Sequence, residues 1–294
     1  MSILFMKNVN KINQIRPQDT KFTEVLSTIA LVPKKLYFVG KLPENSLKCV
    51  TIVGSRKPTR YGQEVAYSLA FELAKRGITI ISGLALGIDA IAHRGALDAK
   101  GLTVAVLASG VDDITPRSNY SLGQEIIYSG GAIISEYEPG TPPYKGSFLE
   151  RNRIVSGLSD AIVVVEAASR SGTLSTAAHA LAQGKYVFAV PGNITSPMST
   201  GCNRLIKQGA IPLTEVDDVL AAICPNELVQ GKLDVLGDNE VESQIIKLIK
   251  KGERDGEAIM HLVGLNTSDF NQVVTLMELK GQIRSLGANQ WALK

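Results

Sequence analysis

The chain predicts an α/β fold built on a doubly wound, mostly parallel sheet, and three observations carry that expectation. Short β-branched runs alternate with longer helical patterns from about residue 49 to 225. The runs are continuously apolar rather than alternating, as strands covered on both faces must be. Several of them end in serine and glycine, which allow a sharp turn and a close backbone approach to an anion.

Taken in order, residues 1–48 carry helical spacing from Phe22 to Ile29 and a short strand, Leu36-Tyr37-Phe38-Val39. This segment is too short to fold alone and is expected to pack on the sheet. Residues 50–53 lead into Gly54-Ser55-Arg56, residues 78–81 into Ser82-Gly83, and residues 102–107 into Ala108-Ser109-Gly110. Residues 132–134, 161–165 and 186–190 follow as strands, with Ile211-Pro212-Leu213 as a short edge strand. Helical patterns such as 62–76 and 172–183 fill the gaps, as βαβ crossovers require. The first domain is therefore placed at 1–225. Residues 226–240 lose periodicity and read as a linker, and residues 241–294 read as a second domain. Its three helical patterns (241–250, 255–262, 268–279) and terminal hairpin form the winged-helix arrangement.

Composition limits the function classes. A net charge of +3 over 294 residues excludes a general basic coat, so any polyanion site must be local. From Asp238 onward, seven basic residues face eight acidic ones, which argues for protein contact rather than DNA gripping by the tail. Cys49, Cys202 and Cys224 are far apart, as are His93, His179 and His261, so neither a disulfide framework nor a metal spacing is present. No cofactor or metal is expected. No apolar run approaches the roughly 18 residues of a membrane span, and the expected location is the cytoplasm.

The strand ends concentrate the candidate chemistry. Gly54, Ser55, Gly83, Gly110, Gly172 and Thr173 fall where ligands of open α/β sheets bind, beyond the carboxyl ends of strands. Neither a dinucleotide fingerprint nor a P-loop is present. Lys145, Phe148, Arg151, Asn152 and Arg153 bring cations and one ring together just before a strand, the combination that grips phosphates by charge and a base by its face. With aromatics at 5%, Tyr61, Tyr120, Tyr137 and Tyr144 also count as candidate contacts. Arg56 can reach over the strand ends to a phosphate or pair with a carboxylate there. Lys57 and Arg60 either extend this basic track or are solvated.

Arg151 and Arg153, two apart on a helix, point to different sides. Arg151 is assigned to DNA, and Arg153 to bracing through Asp160 or Glu166. Asp89 and His93 at i and i+4 suggest either a general-base pair or, with greater weight, an orienting hydrogen bond in the core. Ser171 is either a helix cap or part of an anion site.

Several motifs then follow one order: Val53-Gly54-Ser55-Arg56 with Thr59-Arg60-Tyr61-Gly62, residues 82–93, Ser135-Glu136 and residues 148–159. Glu166 followed by Ser171-Gly172-Thr173, Val190-Pro191-Gly192, and residues 201–206 complete it. Over roughly residues 30–215 the chain resembles the DNA-processing protein A family, DprA or Smf, and the tail resembles that family's winged helix. The resemblance implies an extended Rossmann-like domain that binds single-stranded DNA. It also implies homodimerisation and loading of RecA recombinase during natural transformation and recombination, with no catalysis. It places phosphate contacts on Arg56 and Lys145 and base stacking on Phe148. Leu149 stands where proline usually follows that ring, Ala108 replaces a usual glycine, and Thr115 a usual tyrosine before Pro116. The helical, SAM-like N-terminal domain of many members has no counterpart here. The alternative is a nucleotide-binding enzyme resembling the lysine-decarboxylase-like phosphoribohydrolases, with Glu166 near their catalytic glutamate but without their double glycine.

Overall fold

The computed structural model describes residues 11–43, 48–224 and 239–293, and the chain divides into two compact units, Met1–Leu228 and Val229–Lys294. The expected linker falls almost wholly outside the described residues.

The first unit is organised by nine strands: β1 (Asn13–Ile15), β2 (Leu36–Gly40), β3 (Cys49–Val53), β4 (Thr79–Ser82), β5 (Thr103–Val106), β6 (Ala132–Ser135), β7 (Ala161–Val164), β8 (Tyr186–Ala189) and β9 (Ile211–Pro212). They form one sheet in the order β1-β2-β6-β5-β4-β3-β7-β8-β9. β2 pairs antiparallel with β1 and β6, and the pairs from β6 to β9 are parallel. This is the mixed, mostly parallel α/β architecture that the apolar runs predict. β1 is an addition that its polar sequence, Asn13-Gln14-Ile15, does not announce. The apolar positions Phe22, Leu26 and Ile29 are buried as their spacing requires. Phe22 lies, however, on a four-residue helix α1 (Lys21–Glu24), Leu26 on a 3-10 turn (Val25–Thr28), and Ile29 on the extended backbone just after it. The Thr28 hydroxyl donates to the Val25 carbonyl, a local bond that competes with helix continuation.

Both faces of the sheet are covered. Val104, Val106 and Ile134 join a core with Ile154, Val155, Ala177 and Ala180. Their neighbours Ala105 and Ile133 point the other way, to Leu97, Leu122 and Ile126. The covering helices are α2 (Arg60–Lys75), α3 (Ile88–Asp98), α4 (Tyr120–Tyr128), α5 (Ser147–Gly157), α6 (Thr173–Ala182), α7 (Thr200–Lys207) and α8 (Val216–Ile223).

The second unit contains α9 (Glu240–Lys250), α10 (Gly256–Val263) and α11 (Thr267–Leu279), followed by the antiparallel pair β10 (Ile283–Gly287) and β11 (Gln290–Leu293). Each helix opens on a side-chain cap, from Asn239, Asp255 and Asn266 in turn. The hairpin turn places Ala288 and Asn289 at positive φ. Ile245, Ile259, Phe270, Val274, Met277 and Ile283 form its core.

Candidate nucleic-acid interface

Sheet order fixes where a ligand can sit. From β3 the chain runs outward through β4, β5 and β6, then crosses back to the other side of β3 to build β7, β8 and β9. At the β3–β7 boundary the connections leave in opposite directions and open a crevice beyond the strand ends. A cleft of about 590 Å³ lies there. Gly54, Ser55 and Arg56 line it after β3, Gly83 after β4, and Arg170, Ser171, Gly172 and Thr173 after β7. The crossing segment closes the remaining side with Lys145, Phe148, Arg151 and Asn152. Nine of the ten residues expected at the site thus come together; Gly110 does not.

The two flanks of the cleft meet through Arg56 and Phe148, whose guanidinium carbon and ring centroid are 5.2 Å apart. Arg56 and Lys145 are exposed, Phe148 is half-buried, and Phe148 belongs to none of the described core clusters. Arg56, Lys145 and Arg170 have no carboxylate partner among the described residues. Four cations line the cleft against one acid, Asp89, so this small region carries the local charge that the whole-chain balance conceals. The Thr173 hydroxyl donates to the Gly54 carbonyl at 3.0 Å, joining the two glycine turns. Gly54 has no room for a β-carbon, which would lie 2.6 Å from Ile88 Cγ1. Gly172 borders open space and is itself the N-cap of α6; Ser171 Oγ accepts from the Thr173 amide at 3.3 Å, a turn bond just before the helix, so Ser171 is not the cap expected of it.

Beneath this surface the remaining charges are structural. Arg151 is 5% exposed, and its guanidinium donates to the Gly83 carbonyl at 2.8 Å and to that of Val106. It therefore braces the ends of β4 and β5 instead of presenting itself to a strand, which corrects its assignment as a direct DNA contact. Gly83 is glycine because a β-carbon would fall 2.6 Å from the Arg151 guanidinium carbon. The Asp89 carboxylate receives the Gly83 amide from the opposite side, at 3.1 Å. Burial pushes its pKa up, against Arg151 and its amide donors. His93 does not pair with Asp89. Its Nδ1 bonds the Thr103 hydroxyl at 2.6 Å, and burial, then Arg151, depress it to about 3. The orienting core role is the one observed.

Arg153 braces as expected but through another acid. Two parallel 2.6 Å bonds join it to Glu136, not to Asp160 or Glu166. Asp160 instead accepts the Cys49 amide at 2.9 Å. Glu166 is buried and accepts both the Thr59 amide (2.9 Å) and hydroxyl (2.5 Å), fixing the start of α2. Gly110 lies away from the site: its amide bonds the Thr141 carbonyl, and a β-carbon there would fall 2.7 Å from the Glu138 carbonyl oxygen. Arg60 is a solvated residue paired with Glu64.

Arg170 was not among the expected contacts, and Asn152, part of the expected 145–153 cluster, also lines the cleft. Asn152 Nδ2 donates to Ser175 Oγ at 2.9 Å, docking α5 on α6. Arg170 directly precedes Ser171-Gly172-Thr173, and that adjacency is the signal by which it could have been found.

Comparison with known proteins identifies the family. The family model for DNA recombination-mediator protein A matches residues 13–224. Protein Smf of Escherichia coli K12 is 44% identical over 206 residues, covering 69% of this chain and 55% of the relative. DNA processing protein DprA of Bacillus subtilis 168 is 39% identical over 220 residues, 74% of this chain and 73% of that one. The match thus spans only about half the length of some curated relatives. Among solved structures, DNA processing protein A from Streptococcus pneumoniae superposes with a TM-score of 0.66 at 37% identity, covering 75% of this chain and 77% of that one. DNA processing protein A from Helicobacter pylori, described for its single-stranded DNA binding mode, gives 0.64 at 34%, covering 76% and 97%. With its family match running through the sheet and every turn of the cleft, this chain belongs to the DNA recombination-mediator protein A family.

Proposed function

We propose that this protein binds single-stranded DNA in the β3–β7 cleft and acts as a non-catalytic recombination mediator that protects the strand and passes it to RecA. One observation carries the reading: a half-buried ring, Phe148, shares the cleft at the sheet's switch point with two cations that have no carboxylate partner among the described residues, Arg56 at 5.2 Å from it and Lys145. A base whose edges are free can stack on such a ring while its flanking phosphates meet the cations, and duplex bases cannot do so without unpairing. The name borne by the Helicobacter pylori structure supports the same strand preference. Family resemblance supports dimerisation, RecA as partner and a cytoplasmic location. Among the described residues no helix is long and apolar enough to cross a membrane.

The catalytic alternative needs a free carboxylate in the cleft. Glu166 is committed to Thr59, and Asp89, the acid lining the cleft, is committed to the Gly83 amide. The second unit, with three helices, a terminal hairpin and near-neutral charge, serves partner contact or regulation as a winged helix in this reading. Titrating oligo-dT and the matching duplex across a salt series tests the proposal. Oligo-dT should bind much more tightly, with affinity falling as salt rises. Equal affinity for both forms refutes it.

A further inference from the structure

Four positions before Phe148 stands a second ring, outside the residues that line the cleft. Tyr144, directly before Lys145, is 50% exposed; Tyr61, Tyr120, Tyr128 and Tyr186 are exposed as well, so its exposure alone does not single it out. Its hydroxyl is not turned to water. It donates to Glu150 Oε2 at 2.5 Å, and the same oxygen accepts the Tyr137 hydroxyl at 2.9 Å. The Tyr137 ring meets Tyr144 edge-on, with centroids 6.2 Å apart and planes at 82°. Gly146 makes room for the ring, since a β-carbon there would lie 2.9 Å from Tyr144 Cε2. The backbone is held as well: Ser147 Oγ accepts the Tyr144 amide at 3.1 Å and donates to its carbonyl at 2.8 Å.

A phenol hydroxyl that keeps a hydrogen-bond partner restrains its ring. Here the hydroxyl is spent on a carboxylate while half the residue stays in solvent, so the ring is fixed in place before any ligand arrives. Fixing a contact surface in advance lowers the ordering cost of binding. The two phenol donors also offset Glu150, the negative group nearest to Lys145 in sequence.

Resting on the single-strand reading above, we infer that Tyr144 is a second base-stacking surface, so that the bound strand continues from Phe148 past Lys145 onto Tyr144. Ring, cation and ring then follow one another at 144, 145 and 148, matching the alternation of base and phosphate along a strand.

The test compares full-length wild type, Tyr144→Ala, Tyr144→Phe and Phe148→Ala in oligo-dT binding, with folding checked by thermal melting. An oligonucleotide carrying 5-iodouracil is then photocrosslinked and the attached residue located by mass spectrometry. Tyr144→Ala should weaken binding by about fivefold or more, the lower end for one base stack. Tyr144→Phe, which keeps the ring but loses the hydroxyl that holds it, should lose clearly less than Tyr144→Ala, and crosslinks should fall on Tyr144. If Tyr144→Ala binds normally, or if Tyr144→Phe loses as much as Tyr144→Ala, the ring does not stack and the inference is overturned. In that event a weakened Phe148→Ala leaves the single-strand reading standing. If wild type shows no preference for oligo-dT over duplex, both fall together.

Discussion

Replacing Arg151 separates the two roles that its sequence context allows. The guanidinium holds two backbone carbonyls, Gly83 and Val106, at the ends of adjacent strands. Asp89 lies across Gly83 from it, and both side chains are almost fully buried. Arg151→Met keeps much of the volume but removes both charge-assisted bonds and leaves Asp89 buried without its countercharge. Breaking a buried charge arrangement by removing one partner costs about 3–5 kcal/mol. At roughly 2–4 °C per kcal/mol for a unit of this size, the melting temperature should fall by roughly 6–20 °C. Asp89→Asn in the same background removes the stranded charge while keeping an acceptor for the Gly83 amide, so it should recover part of the loss.

Differential scanning calorimetry of wild type, both single variants and the double variant measures this coupling. The direction of the Asp89 shift makes a further check. Burial raises its pKa while Arg151 lowers it, so Arg151→Met should raise it further. If Arg151→Met melts like wild type yet loses oligo-dT affinity and salt dependence, the side chain reaches solvent and the bracing role is wrong.

Three other outcomes follow from the geometry. Phe148→Ala should cost about 1–3 kcal/mol of oligo-dT binding with little change in salt slope, while Arg56→Ala and Lys145→Ala should each flatten that slope by about one phosphate's worth; normal binding by Phe148→Ala in a folded protein would falsify the stacking role. His93, at about 3 when folded against roughly 6.5 in the unfolded chain, stays neutral while the unfolded chain takes up a proton. Its stabilising contribution is therefore complete above about pH 6.5 and declines toward pH 3, by about 1.4 kcal/mol per pH unit; burial lowers His179 in the same direction. Denaturant melts from pH 7.5 to 5 should show this slope and lose about one proton of it in His93→Asn, and an unchanged slope rules His93 out as its source. Deleting residues 238–294, where acids slightly outnumber bases, should leave most oligo-dT affinity in place; a loss beyond roughly tenfold, about 1.4 kcal/mol, in a folded truncation would make the second unit a DNA-binding element.

What the sequence made legible depended on how local the cause was. Strands announced themselves because burial on both faces demands unbroken apolar runs. Glycines that meet the cleft were visible as strand ends. Gly110 has the same local sequence signature, and only its distant neighbours at residues 138–141 take it out of the site. Charge partners were the least legible. Arg153 finds Glu136 17 positions away and Glu166 finds Thr59 107 positions away, distances that carry no periodic signal.

The Arg151-Asn152-Arg153 triplet shows why such pairings matter to the site. Three consecutive residues on a helix point in three directions, about 100° apart. Arg151 reaches the ends of β4 and β5, Asn152 the first turn of α6, and Arg153 the acid that follows β6. A helix carrying this much polarity would ordinarily lie on the surface, yet here its polar side chains are the anchors and α5 is pinned from three sides at once. Phe148 sits one turn upstream of that anchor, three residues before Arg151 and four before Asn152, so it shares their face and is held over the cleft. The motif therefore combines two functions in one helical turn and a half: the arginines and asparagine set the helix on the sheet edge, and that placement aims the ring. A substitution at Arg153 should accordingly lower oligo-dT affinity without Arg153 touching the strand, and restoring the Glu136 pair with lysine should recover less than wild type because a single ammonium cannot reproduce the paired bonds.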